Sequence, residues 1–231
     1  MQEIKKVAIL NGGALGAAYA SKFIDASEFE TVLIAGGAVY GMDKLLYAIS
    51  IGIDALRDKN RVTFTNPGKI IFGEAVNAEL GQNVRRLQMA FDQAGIAHET
   101  PADMRRMMWW KFMINVGVNQ AAAVMRAPFG VFQSSTDAQF LMEALMREVI
   151  EVARASEVNL SAQDLDDWYG ILKTLSADGK PSMLQDIEAG RKTEVEIFGG
   201  KMVALGERLG IPTPVNQIVL HTIRVLESAP A

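Results

Sequence analysis

From Lys5 to about Thr100 the apolar positions come in short runs separated by glycine: "KVAIL", "TVLIAGG", "LYAISIG", "RVTFT" and "KIIFGE". Runs of that length, rich in β-branched residues, predict strands. The last two flank Asn66, Pro67 and Gly68, a sequence suited to a tight reversal, so they are expected to pair as a hairpin. An amphipathic helix over roughly Ala78 to Ala94 should follow. Beyond Pro101 the strand pattern gives way to helical periodicity with start and stop residues. Ser161 with Asp164 reads as a capping box, Gly210 as the glycine closing "EVEIFGGKMVALGERL", and Thr213 and Pro214 as N-cap and first residue of a last helix. The expected organisation is an α/β domain over residues 1–100 and an all-α domain over residues 101–231.

Composition narrows the chemistry. The chain has 231 residues, 49% of them hydrophobic and 22% charged, enough for one large core or two modest ones. A net charge of −4, with the basic residues scattered, provides no field for nucleic acid. There is no cysteine and only two isolated histidines, His98 and His221, so no metal site is expected. The longest apolar stretches fall short of the roughly 20 residues that a spanning helix needs, and the N-terminus shows no apolar signal core; a cytoplasmic protein without membrane contact is expected.

The run "KKVAILNGGALGAAYA" places a strand, a glycine-rich turn and a helix in succession. In the register Asn11-Gly12-Gly13-Ala14-Leu15-Gly16 it approximates the dinucleotide fingerprint, in which the glycines serve the turn, the approach of the pyrophosphate and the packing of helix on strand. Asn11 takes the place of the first glycine, and asparagine tolerates left-handed backbone better than most residues. A bare strand-to-helix turn is the alternative. Gly36 and Gly37 stand where a ribose-binding carboxylate or a phosphate-binding arginine would end the second strand. A complete doubly wound domain needs on the order of 150 residues, more than the first hundred supply, so the domain reads as abbreviated.

The helical stretch "WWKFMINVGVNQAAAVM" is almost wholly apolar yet holds Lys111, Asn115 and Asn119. On an α-helix this i, i+4, i+8 spacing puts the three within about 80° of arc and about 12 Å of axis. Asparagines inside an apolar helix need partners, which suggests a polar cleft where the lysine could bind a carboxylate or protonate an oxygen. Equally, the lysine could snorkel while the asparagines bond to neighbouring helices. Ser182 stands at the start of one later helix and Glu194 on the next; alone they would read as a cap and a solvated charge.

The runs "WWKFMINVGVNQAAAVMRAPFG", "PSMLQDIEAGRKTEVEIFGG" and "GIPTPVNQ" together resemble the C-terminal domain of the ketopantoate reductase (2-dehydropantoate 2-reductase) family, and "LNGGALG" resembles its cofactor fingerprint. The resemblance implies an abbreviated Rossmann-like NADP-binding domain followed by an all-α domain of the 6-phosphogluconate-dehydrogenase-like type. It further implies NADPH-dependent reduction of ketopantoate, or a related 2-keto acid, in pantothenate biosynthesis. By that resemblance Lys111 is the general acid, Asn115, Asn119 and Ser182 bind substrate, and Glu194 lies near cofactor and substrate. Asn11, Gly12, Gly13, Ala14, Leu15, Gly16 and Ala55 would contact NADPH.

Two departures stand out. The family's "PNG" turn, whose asparagine contacts substrate, reads Pro128-Phe129-Gly130 here, which points toward a different 2-keto acid. Relative to a complete two-half fold, roughly 70 to 90 residues are missing from the first domain, as from an internal deletion. A second reading follows: a non-catalytic, internally deleted homologue acting as a dimerisation or small-acid-binding module. A third is a sister dehydrogenase for an imine or another keto acid. An exposed sheet edge left by such a deletion would favour a homodimer.

Overall fold

The computed structural model describes residues 6–9, 31–34, 46–53, 56–58, 61–63 and 66–228. The chain divides into two compact units, Met1–Arg105 and Arg106–Ala231, a division five residues beyond the expected boundary.

In the first unit, β1 (Lys6–Ile9) pairs in parallel with β2 (Thr31–Ile34), Lys6 opposite Thr31. Two parallel neighbours need a crossover of a dozen or more residues, and the intervening chain is long enough for one. A separate sheet has the order β3-β6-β7, from Tyr47–Ile53, Pro67–Gly73 and His98–Glu99. Strands β3 and β6 are antiparallel, Tyr47 opposite Gly73 and Ile53 opposite Pro67; β6 and β7 are parallel.

The expected hairpin between "RVTFT" and "KIIFG" does not form. Within "RVTFT", β5 (Arg61–Thr63) pairs instead with β4 (Leu56–Asp58), while β6 pairs with β3. The reason is the greater length of the alternative pairing. A reversal at Asn66-Pro67-Gly68 would leave the seven-residue apolar strand β3 without this partner, whereas the observed register joins two seven-residue strands. Only two residues separate Asp58 from Arg61, the length of a tight hairpin loop. Pro67 opens β6, where its missing N–H matters least, and the Gly68 N–H donates to Asn66 Oδ1 at 2.9 Å with Gly68 at φ +63°.

Helix α1 (Gln82–Gln93) covers this sheet, starting later than expected, after Gly81. Its Val84, Ala90 and Phe91 meet Phe72 and Ile96 in the core, with Phe72 and Phe91 edge to face at 5.0 Å.

The second unit is helical throughout its described residues. A continuous helical rod comprises α2 (Met104–Ile114, which begins just before the division), a π-turn (Asn115–Asn119) and α3 (Gln120–Met125). It ends at Arg126, held at φ +51°. There follow α4 (Phe129–Ser134), α5 (Thr136–Ala155), α6 (Gln163–Leu172) and α7 (Ser182–Glu188). A second π-turn (Glu196–Gly200) leads into α8 (Lys201–Leu209), and α9 (Pro214–Ser228) closes the unit.

The long α5 is central: Met142, Leu145, Met146 and Val149 are fully buried, and the helix packs against the first π-turn, α3, α4, α8 and α9. Half of the expected capping box is present, as the Ser161 N–H donates to Asp164 Oδ2 at 2.8 Å. Gly210 closes α8 at φ +69°. At the start of α9 the free N–H groups of Val215 and Asn216 donate to the carboxylate of Glu148, on α5, at 2.8 and 3.0 Å.

Candidate active site

Lys111 lies in the last turn of α2, where its side chain is half-buried. Removal from water disfavours the ammonium form and lowers its pKa to about 8. Among the described residues no carboxylate pairs with it. The result is a cation able to release its proton near neutral pH, suited to general-acid chemistry.

The uniform α-helix expected from Trp109 to Met125 is interrupted by the π-turn, and the stripe geometry changes with it. A turn closed by i to i+5 bonds holds more residues per revolution, so Asn115 and Asn119 stand at a different angle about the axis from the one an α-helix would give them. Local sequence permits this. At Gly117 any β-carbon would run into the Met146 side chain and come within 3.1 Å of the Met142 carbonyl, so only glycine lets α5 cross the turn so closely.

Asn115 is half-buried and Asn119 buried. Across from them stands Ser182, the first residue of α7, exposed at the helix start. Asn119 Nδ2 approaches Ser182 Oγ at 3.5 Å, a long contact between an amide and a hydroxyl that could both turn to an oxygen-rich ligand. The fold thus brings together two residues 63 apart in sequence.

Glu194 is exposed and lies at the entry to the second π-turn, its carbonyl accepting from Ile197 and Phe198 N–H at 2.9 and 3.2 Å. Thr193 beside it is fixed: its N–H and hydroxyl both donate to Glu227 Oε1, at 2.7 and 2.6 Å, and its Oγ1 accepts the Val195 N–H. No hydrogen bond or ion pair among the described residues joins Glu194 to Lys111, Asn115, Asn119 or Ser182. The two π-turns do pack against each other. Phe129 opens α4, where its N–H donates to Gly179 O at 2.9 Å, and its ring faces Gly179. Asn11 to Gly16 and Ala55 lie outside the described residues.

Sequence reasoning overlooked a buried amide chain behind the first π-turn, made by Gln120, Asn216 and Glu148. The available signal was a glutamine directly before three alanines on an apolar helix, a polar group that must find partners.

The model of the family described as "Ketopantoate reductase PanE/ApbA C terminal" matches residues 103–227, more than half of the chain. The chain belongs to the ketopantoate reductase family. Among relatives of known name, the 2-dehydropantoate 2-reductase of Pyrobaculum aerophilum is 34% identical over 128 residues, covering 54% of this chain and 45% of that protein. The fold extends over both units: the 2-dehydropantoate 2-reductase of Geobacter metallireducens GS-15 superposes with a TM-score of 0.81 at 19% identity, covering 95% of this chain and 99% of that one. A ternary structure of D-mandelate dehydrogenase with NADH and anilino(oxo)acetate gives 0.82 at 12% identity, covering 96% and 98%. These agree with a Rossmann-like first unit of small extent and a helical second unit. The chain spans 45%, 62% and 58% of the length of the first three curated 2-dehydropantoate 2-reductases that it matches.

Proposed function

We propose that this chain carries the machinery for NADPH-dependent reduction of ketopantoate, or a related 2-keto acid, to the 2-hydroxy acid, a step of pantothenate biosynthesis. The observation that carries the reading is Lys111: a cation without a carboxylate partner among the described residues, its pKa lowered to about 8 by burial, on the helix that continues into the Asn115 and Asn119 turn.

When bound, the dinucleotide supplies a hydride to the keto carbon. The residues suited to hold it are Asn11, Gly12, Gly13, Ala14, Leu15 and Gly16, which follow β1 where a parallel β-α-β unit places its phosphate-binding turn, with Ala55 and Glu194 as further contacts. The parallel β1–β2 pair, with enough chain between the two strands for a crossover, fits one mononucleotide-binding half. Lys111 attracts the substrate carboxylate, stabilises negative charge growing on the keto oxygen and gives that oxygen its proton. The neutral amine then recovers a proton from solvent. Asn115, Asn119 and the Ser182 hydroxyl hold the acid, and the Asn119 and Ser182 pair supplies one donor from the first π-turn and one from the start of α7.

NADPH oxidation on addition of ketopantoate, followed by its absorbance, tests the activity. A folded chain that binds NADPH yet turns over no 2-keto acid would sink the catalytic reading and leave a small-acid-binding module. Phe129 in place of the amide favours a substrate other than ketopantoate, so a bulkier aryl 2-keto acid belongs in the same assay. The assembly proposed is a homodimer in the cytoplasm. Among the described residues β3 is an outer strand of its sheet, and no helix is long and apolar enough to cross a membrane.

A further inference from the structure

Gln120 is fully buried between the two π-turns. Its Nε2 donates to the carbonyl of Val116, four residues back inside the first π-turn, at 2.8 Å, and to Asn216 Oδ1, on α9, at 3.0 Å. Asn216 Nδ2 in turn donates to Glu148 Oε2 at 2.8 Å and to the Leu145 carbonyl at 3.3 Å, both on α5. The direction of every amide is forced. Val116 and Leu145 offer carbonyls and Glu148 a carboxylate, all of which only accept, so neither amide can flip without facing oxygen against oxygen. Meanwhile Gln120 Oε1 fills the space that a β-carbon at Gly199, in the second π-turn, would occupy.

We propose that Gln120 is a positioning residue for the keto-acid site: a clasp that holds the first π-turn in register and sets its distance from the second. The turn it grips by the Val116 carbonyl carries Asn115 and Asn119; the turn it abuts at Gly199 is the one that Glu194 enters. A π-turn competes with the ordinary α-helical register, so the same residues could re-form i to i+4 bonds and rotate the two asparagines relative to each other. The side-chain bond from Gln120 to its own i−4 carbonyl engages the backbone where that exchange would occur. Glu148 anchors the far end to α5, the long central helix of the unit. The consequence for ligand binding rests on the function proposed above; the conformational consequence does not.

Two variants of the full chain test the clasp from opposite sides. Gln120→Met keeps the length and removes both donors; Gly199→Ala leaves Gln120 in place and drives a methyl group against its oxygen. Crystal structures of the variants, or backbone chemical shifts and amide exchange where crystals fail, should show residues 115–119 in α-register or in exchange between registers. Retention of the π-turn in Gln120→Met overturns the proposal. Calorimetry with ketopantoate, or the 2-keto acid that the parent turns over, at saturating NADP+, which cannot donate hydride, should give at least tenfold weaker binding for either folded variant, with NADPH affinity within twofold of the parent. In turnover KM should rise by a similar factor while kcat changes less than threefold. A variant that loses the π-turn but binds ketopantoate like the parent also overturns it. If the parent binds neither ketopantoate nor any other 2-keto acid of the turnover assay, the proposed function fails, and the register of residues 115–119 in the two variants still decides the clasp. Should Gln120→Met fail to fold, Gly199→Ala and the paired apolar variant Gln120→Leu/Asn216→Leu, which leaves neither amide unpaired, provide the same readouts.

Discussion

Lys111 combines two opposed demands in one side chain. Burial lowers its pKa from 10.5 to about 8, so between those values the unfolded chain binds more protons than the folded one, and stability rises with pH across that window. Below about pH 8 both states are protonated and the full cost of holding a partly buried ammonium is present. Lys111→Met should therefore raise stability at pH 7, by up to about 3 kcal/mol, and flatten the rise between pH 8 and 10.5 in denaturant titrations. The same variant should lose at least about 10²-fold in kcat for keto-acid reduction while binding NADPH normally. In the parent, kcat/KM for reduction should fall as pH rises through about 8, because only the ammonium can donate and this profile reports the free chain. A profile flat to pH 10 would remove Lys111 from the role of general acid.

At the level of elements the proposed keto-acid site lies on helices that depart from α-geometry at defined places. Gly117→Ala puts a methyl group against Met146 and the Met142 carbonyl. A cost of about 1–3 kcal/mol in urea unfolding is expected, together with weaker keto-acid binding as α5 is pushed from the turn. Glu148→Ala removes the acceptor for two N–H groups at the start of α9 and for one N–H of Asn216 Nδ2; it should cost about 2–3 kcal/mol, because a buried amide also loses one of its bonds. A loss below 0.5 kcal/mol would show that solvent readily replaces the cap. The capping box at Ser161 and the closing glycine at Gly210 were legible in advance because each is a local device. The hairpin was not, because strand partners are chosen by total paired length and apolar contact rather than by the nearest turn signal.

For the whole molecule the question is whether a first unit of small extent binds a dinucleotide. Any ligand that binds only the folded chain stabilises it by mass action, about 2.7 kcal/mol at one hundred times Kd. Millimolar NADPH should therefore raise the thermal midpoint of the transition that includes residues 1–105, with NADH giving a comparison of specificity. No shift with either nucleotide would confine the function to the helical unit and its small-acid site.

Taken by itself, the sequence determined the sequence-local features. Its periodicity marked strand runs and helical runs along the chain, and its composition limited the residue types from which an active site could be made. Those follow from periodicity, caps and side-chain chemistry, which act over a few residues. Tertiary structure decided which strand pairs with which, that Asn119 meets Ser182 across 63 residues, and that the rod carrying Lys111 breaks into a π-turn. It also placed Gln120 between two such turns and joined it to Glu148 through Asn216. Each of these depends on contacts between distant segments. A glycine, a glutamine or an asparagine acquires such a role only when another helix supplies the atoms it must fit against or bond.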